Sequence, residues 1–163
     1  MTEASEIWTG EATRYDQARP TPPAALLDLL TQLIGMPHPT LLVDLGSGTG
    51  LSTAIWGERA ERVIGIEPNT DMRTQAIRKI EHHPHAAHIE YREGAAHRTG
   101  LPGGCADIVT CAQSFHWMEP TSTLTEIARI LRPGGLFAAY DYDWPPTLNW
   151  KLEQGSRSSP LSP

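Results

Sequence analysis

The chain is poor in cysteine, in basic residues and in long apolar runs. Of its 163 residues only Cys105 and Cys111 are cysteines. Along an extended segment their six-residue separation spans about 20 Å, whereas a disulfide needs Cα atoms within about 7 Å. Neither belongs to a Cys-x-x-Cys pair, so a reduced, cytoplasmic protein is expected. No stretch approaches the roughly 18 apolar residues of a membrane span. The opening residues, MTEASEIW, are too acidic and polar for a signal peptide. Lysine and arginine number 13 against 19 acidic residues, giving a net charge of −6 and a pI near 5.6. Nucleic-acid binders usually carry a basic face, so the expected partner is a small molecule, with no nucleic acid and no membrane. The composition is otherwise ordinary for one globular domain, at 39% hydrophobic and 20% charged residues. It excludes a wholly disordered or fibrous chain. At this length about 70% of the unfolded surface can be buried without a disulfide or metal staple.

Apolar periodicity divides the chain into alternating strands and helices. Thr21-Pro22-Pro23 opens a helix carrying Leu26, Leu29, Leu30 and Leu33. Strands are predicted at 41–45, 62–67, 88–93, 106–111 and 136–142, the third at an edge because it is less hydrophobic. Between them lie a helix with Leu51, Ala54 and Ile55, and one with Met72, Ala76, Ile77 and Ile80 capped by Asn69 or Thr70. A last helix opens at Pro120, carries Leu124, Ile127, Ala128 and Leu131, and stops at Gly134-Gly135. This alternation predicts an α/β fold, a Rossmann-like open and mainly parallel sheet with helices on both faces. Residues 1–23 read as an N-terminal lid segment and 24–150 as the domain. The low-complexity stretch 151–163 reads as a disordered tail.

The most informative segment is LLVDLGSGTG, residues 41–50. A strand runs into Asp44, and Gly46, Gly48 and Gly50 make a tight turn into a helix. Such a loop sits at the carboxyl end of a central strand, where ligands bind in parallel sheets, and glycine lets the backbone approach a ligand closely. A dinucleotide site needs G-x-G-x-x-G, whereas the spacing here is G-x-G-x-G. A carboxylate at Asp44 would repel a pyrophosphate and can hold an amine, directly or through water. S-adenosylmethionine has an amine, a sulfonium and a ribose but no phosphate, and fits better. Glu67, ending the second strand 21 residues after Gly46, can accept from both ribose hydroxyls. That acid alone does not separate the two cofactors.

At these residues the chain resembles the class I S-adenosylmethionine-dependent methyltransferases of small-molecule type. VDLGSGTG, the acid in VIGIEPNTDM, GAAHRTGLP, DIVTCAQSFHW and LRPGGLFAAYDYDW carry the likeness over residues 8–150. The resemblance implies that Gly46, Ser47, Gly48 and Gly50 pack on the cofactor, that Asp44 orients the loop or reaches the amine, and that Glu67 binds the ribose. Pro68 and Met72 would flank the adenine, with Ala95 and Ala96 at its edge. Gln113, Ser114 and Phe115 would line the methyl-transfer face. Tyr15 and Arg19 resemble the family's N-terminal lid, Arg19 pairing with the cofactor carboxylate.

The chain departs from the family in two ways. His97 stands where many relatives carry an acid near the adenine amine. No segment follows the fifth strand that could supply the family's last two strands, so the fold is expected to be truncated there. The fifth strand would then be an open edge, prone to self-association and poor solubility. A catalytically inactive, cofactor-binding fragment is a second reading. A nicotinamide-dependent oxidoreductase is a third, disfavoured by the glycine spacing.

Three other features bear on the chemistry. His116 lies where an acceptor would meet the cofactor, and an imidazole there can serve as general base or merely pack. His82, His83, His85 and His88 form a dense cluster, but Pro84 breaks its spacing and no Cys or carboxylate is near in sequence, so no metal site is expected. Cys111 has apolar flanks and reads as a structural thiol. No Asn/Asp-Pro-Pro-Tyr motif follows the fourth strand, which again points away from nucleic acid.

Overall fold

The computed structural model describes residues 21–141. Helix α1 (Ala24–Leu33) leads into β1 (Leu42–Leu45), then α2 (Leu51–Ile55), β2 (Val63–Ile66), α3 (Thr70–Ile80), β3 (Ile89–Arg92), β4 (Ala106–Ala112), α4 (Pro120–Ile130) and β5 (Leu131–Tyr140). The strands form one parallel sheet in the order β3-β2-β1-β4-β5. The chain thus moves outward from β1 to β3 and then returns to β1's other side. The crevice beyond the ends of β1 and β4, where the direction reverses, is where parallel sheets place their ligands.

The central strands are buried on both faces, as their unbroken apolar runs require. On one face Leu27 and Leu30 of α1 and Trp56 pack on Leu42, Val63 and Ile108. On the other, Ile127 and Ile130 of α4 pack on Val43, Ile64 and Val109. Alternate residues of each strand therefore serve opposite layers. Local signals place the helix starts. The Asn69 side chain accepts from the Met72 amide, and Glu119 accepts from the Thr121 and Ser122 amides just ahead of Pro120.

The expected edge position of the third strand is observed, since β3 pairs with β2 alone. The fifth strand differs from expectation. It begins at Leu131 rather than residue 136, and α4 ends at Ile130, before the glycine pair. Leu131 already pairs with Ala106, and pairing resumes at Ile108 with Leu136. Pro133, Gly134 and Gly135 form the irregularity between these contacts. Proline and glycine are tolerated there because β5 has a neighbour on one side only among the described residues.

Candidate functional site

Residues Gly46 to Gly50 turn the end of β1 into α2. Gly46 has φ +65° and Gly50 φ +83°, left-handed values that side chains rarely adopt. Both positions are also closed to a side chain. A Cβ at Gly46 would lie 2.7 Å from the Cβ of Ser114, and one at Gly50 would lie 2.1 Å from the Tyr91 hydroxyl. The Gly46 and Ser47 amides donate to the Ile66 carbonyl at 2.8 and 3.2 Å, and the Ser114 hydroxyl donates to the Leu45 carbonyl at 2.7 Å. The loop is thereby tied to β2 and to the segment after β4, across the crevice.

Beneath the loop one rung of the sheet is polar. Register places Tyr91 of β3, Gly65 of β2, Asp44 of β1 and Thr110 of β4 side by side. Asp44 has no exposed surface and accepts from the hydroxyls of Thr53 (2.6 Å) and Thr110 (2.9 Å). Burial pushes its carboxyl up from 3.8 to about 6, against the lowering effect of those two bonds. Asp44 thus fixes the first turn of α2 from below. The same buried surroundings, with Asp44 nearby, push up the Tyr91 phenol and raise the Cys111 thiol to about 12. Cys111 is fully buried, and Cys105 and Cys111 are both free thiols.

Glu67 follows β2 directly. Its Oε2 accepts from the Gly48 amide and its Oε1 from the Asn69 amide, each at 2.8 Å. Burial raises its carboxyl above the ordinary value. Each oxygen keeps a second lone pair for a further donor. Pro68 is half-buried beside it, while Met72 is almost fully buried. Arg73 donates to the Glu67 carbonyl (2.8 Å) and pairs with Glu93 (3.1 Å). Ala95 bridges to Arg98, Ala96 packs on the core beside α4, and His97 is exposed.

Past β4, Gln113 has φ +53°, the one left-handed non-glycine residue among those described. Ser114 is buried, and the Phe115 ring meets Phe137 with centroids 5.7 Å apart. His116 is exposed, 5.1 Å between ring centroids from Trp117 and 3.5 Å from the Asp141 carboxylate.

The structure therefore gathers Asp44, the glycine loop, Glu67, Gln113, Ser114 and His116 at the carboxyl ends of β1, β2 and β4. Tyr15 and Arg19 lie outside the described residues, as do the 151–163 stretch and most of the lid segment. Among the described residues no three His, Cys, Asp or Glu side chains are arranged to hold a metal. His85 pairs with Glu58 at 3.3 Å and His88 contacts the Glu61 carbonyl, an ordinary helix-end environment. Thr53, Tyr91, Thr110 and Tyr140 carry no motif that marks them in the sequence. The only signal for the two threonines was a polar residue in an apolar strand and one in an apolar helix.

The donor set can be tested against a ligand. The Ser47 hydroxyl is buried without a partner, and a Cβ at Gly48 would meet open space. Two carboxylates, Asp44 and Glu67, stand under and beside the loop, and the Gly48 amide is already spent on Glu67. A pyrophosphate would meet the Glu67 carboxylate and one amide fewer. Hydroxyls and a cationic group fit.

The chain matches the family described as "Methyltransferase domain" over residues 43–139. It is 30% identical over 141 residues to an uncharacterized methyltransferase of Mycobacterium tuberculosis, covering 86% of this chain and 54% of that protein. A candidate type II methyltransferase structure from Anaeromyxobacter dehalogenans superposes with a TM-score of 0.66 at 28% identity, covering 88% of this chain and 67% of the other. Geranyl diphosphate C-methyltransferase from Streptomyces coelicolor, solved with S-adenosyl-L-homocysteine, shares the fold. Its TM-score is 0.65 at 20% identity, covering 82% of this chain and 51% of the other. The chain spans between 36% and 54% of the length of the first curated relatives it matches. Among the described residues no helix is long and apolar enough to cross a membrane.

Proposed function

The chain belongs to the methyltransferase domain family, and from that premise we propose that it binds S-adenosylmethionine at the glycine loop and methylates a small-molecule acceptor. The observation that carries the reading is the Gly48 amide of the glycine loop, which donates to Glu67 at 2.8 Å and so is not left for a pyrophosphate. The Glu67 carboxylate caps that amide at the switch point of the sheet and keeps lone pairs for two ribose hydroxyls. When bound, S-adenosylmethionine would supply an activated sulfonium methyl.

The chain's own residues have simpler tasks. Gly46, Ser47 and Gly50 shape the floor, and Asp44 holds that floor still from below through Thr53. Pro68 and the edge of Met72 flank the adenine side, with Ala95 and Ala96 opposite. Gln113 and Ser114 wall the side from which an acceptor approaches. His116 takes a proton at the acceptor atom, where Asp141 stands 3.5 Å from its Nδ1. Methyl transfer from a sulfonium needs little beyond alignment, so most of the catalysis is positioning.

The test is isothermal titration calorimetry of the purified chain with S-adenosylhomocysteine, with NAD as control. One equivalent of S-adenosylhomocysteine and no NAD is the expected result. Binding of NAD instead, or of neither by a folded chain, overturns the reading.

A further inference from the structure

We propose that Tyr140, the last residue of β5, is a positioning residue that braces both sides of the site. The proposal rests on the reading of the glycine loop as the cofactor site. The Tyr140 phenol shares a 2.6 Å hydrogen bond with the hydroxyl of Ser52, in the first turn of α2, and Ser52 is buried. The Tyr140 carbonyl accepts from the Gln113 amide at 2.8 Å. One residue therefore holds the helix behind the glycine loop and the turn that opens the acceptor side.

The need for such a brace follows from lengths. Helix α2 has five residues, too few for its own hydrogen bonds to fix its direction. Trp56 anchors its far end in the core, and two adjacent hydroxyls hold the near end, Thr53 reaching Asp44 on β1 and Ser52 reaching Tyr140 on β5. The two hydroxyl anchors straddle β4. With Ser52 released, the near end of α2 can pivot about Thr53, and the loop ahead of it moves too. On the other side Gln113 holds a left-handed backbone that is unfavourable for a non-glycine residue. The bond to the Tyr140 carbonyl offsets part of that cost.

The test is a double-mutant cycle of Ser52→Ala and Tyr140→Phe, with both singles and the double. Two quantities are read: the S-adenosylhomocysteine dissociation constant by calorimetry, and hydrogen exchange of residues 46–55 in ligand-free protein. Each single variant is expected to weaken binding about fivefold, the size of one lost hydrogen bond. The double variant should be no weaker than either single, because the two hydroxyls act as one unit. Exchange over residues 46–55 should quicken equally in all three variants. Additive losses, unchanged exchange, or a lowered melting temperature with intact affinity would overturn the proposal. If the wild type binds no S-adenosylhomocysteine, the cofactor reading fails, and the exchange cycle alone decides whether Tyr140 braces the loop.

Discussion

The ring of Tyr91 lies across Gly65 on the neighbouring strand. A Cβ at position 65 would sit 2.6 Å from Cδ1 and 2.8 Å from Cε1 of that ring, and 2.8 Å from the Ser47 hydroxyl. The glycine is the gap through which a tyrosine on the edge strand reaches inward to Gly50, beneath the loop. Gly65→Ala therefore overpacks the floor of the site, at an expected loss of about 1–3 kcal/mol. Urea unfolding measures it. A loss under about 0.5 kcal/mol would mean that the ring moves aside freely and does not support the loop.

Asp44 makes a pH prediction with a definite sign. Its carboxyl is raised from 3.8 to about 6 in the folded protein, so the native state holds its proton more tightly than the unfolded chain. The stability this contributes is full below about pH 3.8 and is lost as pH rises through about 6. Asp44→Asn removes that titration, while its amide still bonds the threonines. The stability of wild type minus that of the variant should fall by about 2 kcal/mol between pH 4 and pH 7. A pH-independent difference in urea unfolding would sink the assignment.

Glu67→Ala removes the proposed ribose acceptor and strips partners from the Gly48 and Asn69 amides. Affinity for S-adenosylhomocysteine should drop at least about tenfold, as for a hydrogen bond to a charged group, with circular dichroism unchanged. Glu67→Gln, which keeps one acceptor oxygen, should lie between. Equal affinity across all three proteins in calorimetry would remove Glu67 from the site.

Gly46→Ala combines a left-handed backbone with a Cβ 2.7 Å from that of Ser114. Expected are a loss of about 1–3 kcal/mol in stability and weaker S-adenosylhomocysteine binding, because relief requires Ser114 to leave the Leu45 carbonyl. Gly35→Ala, also left-handed but with open space around its Cβ, is the control. It should cost stability through its backbone and leave affinity alone.

Much of this was legible in the residues. Apolar runs bounded by turn residues mark β1, β2 and β4, because a strand covered on both faces has no polar side to show. Asn69 and Pro120 mark helix starts through local bonds, and Gly46-x-Gly48-x-Gly50 marks the loop because only glycine tolerates its backbone. The start of β5 was not legible. Pro-Gly-Gly reads locally as a stop, and only the pairing of Leu131 with Ala106 draws it into the strand.

The sequence by itself determined the alternation of elements, the glycine turn and the acid after β2, since each depends on neighbours within a few residues. Only the tertiary structure decided what lies under and behind the loop. Thr110 meets Asp44 across 66 positions and Tyr140 meets Ser52 across 88. Such contacts are set by strand order and register, and a shift of one residue would turn every one of these side chains to the opposite face.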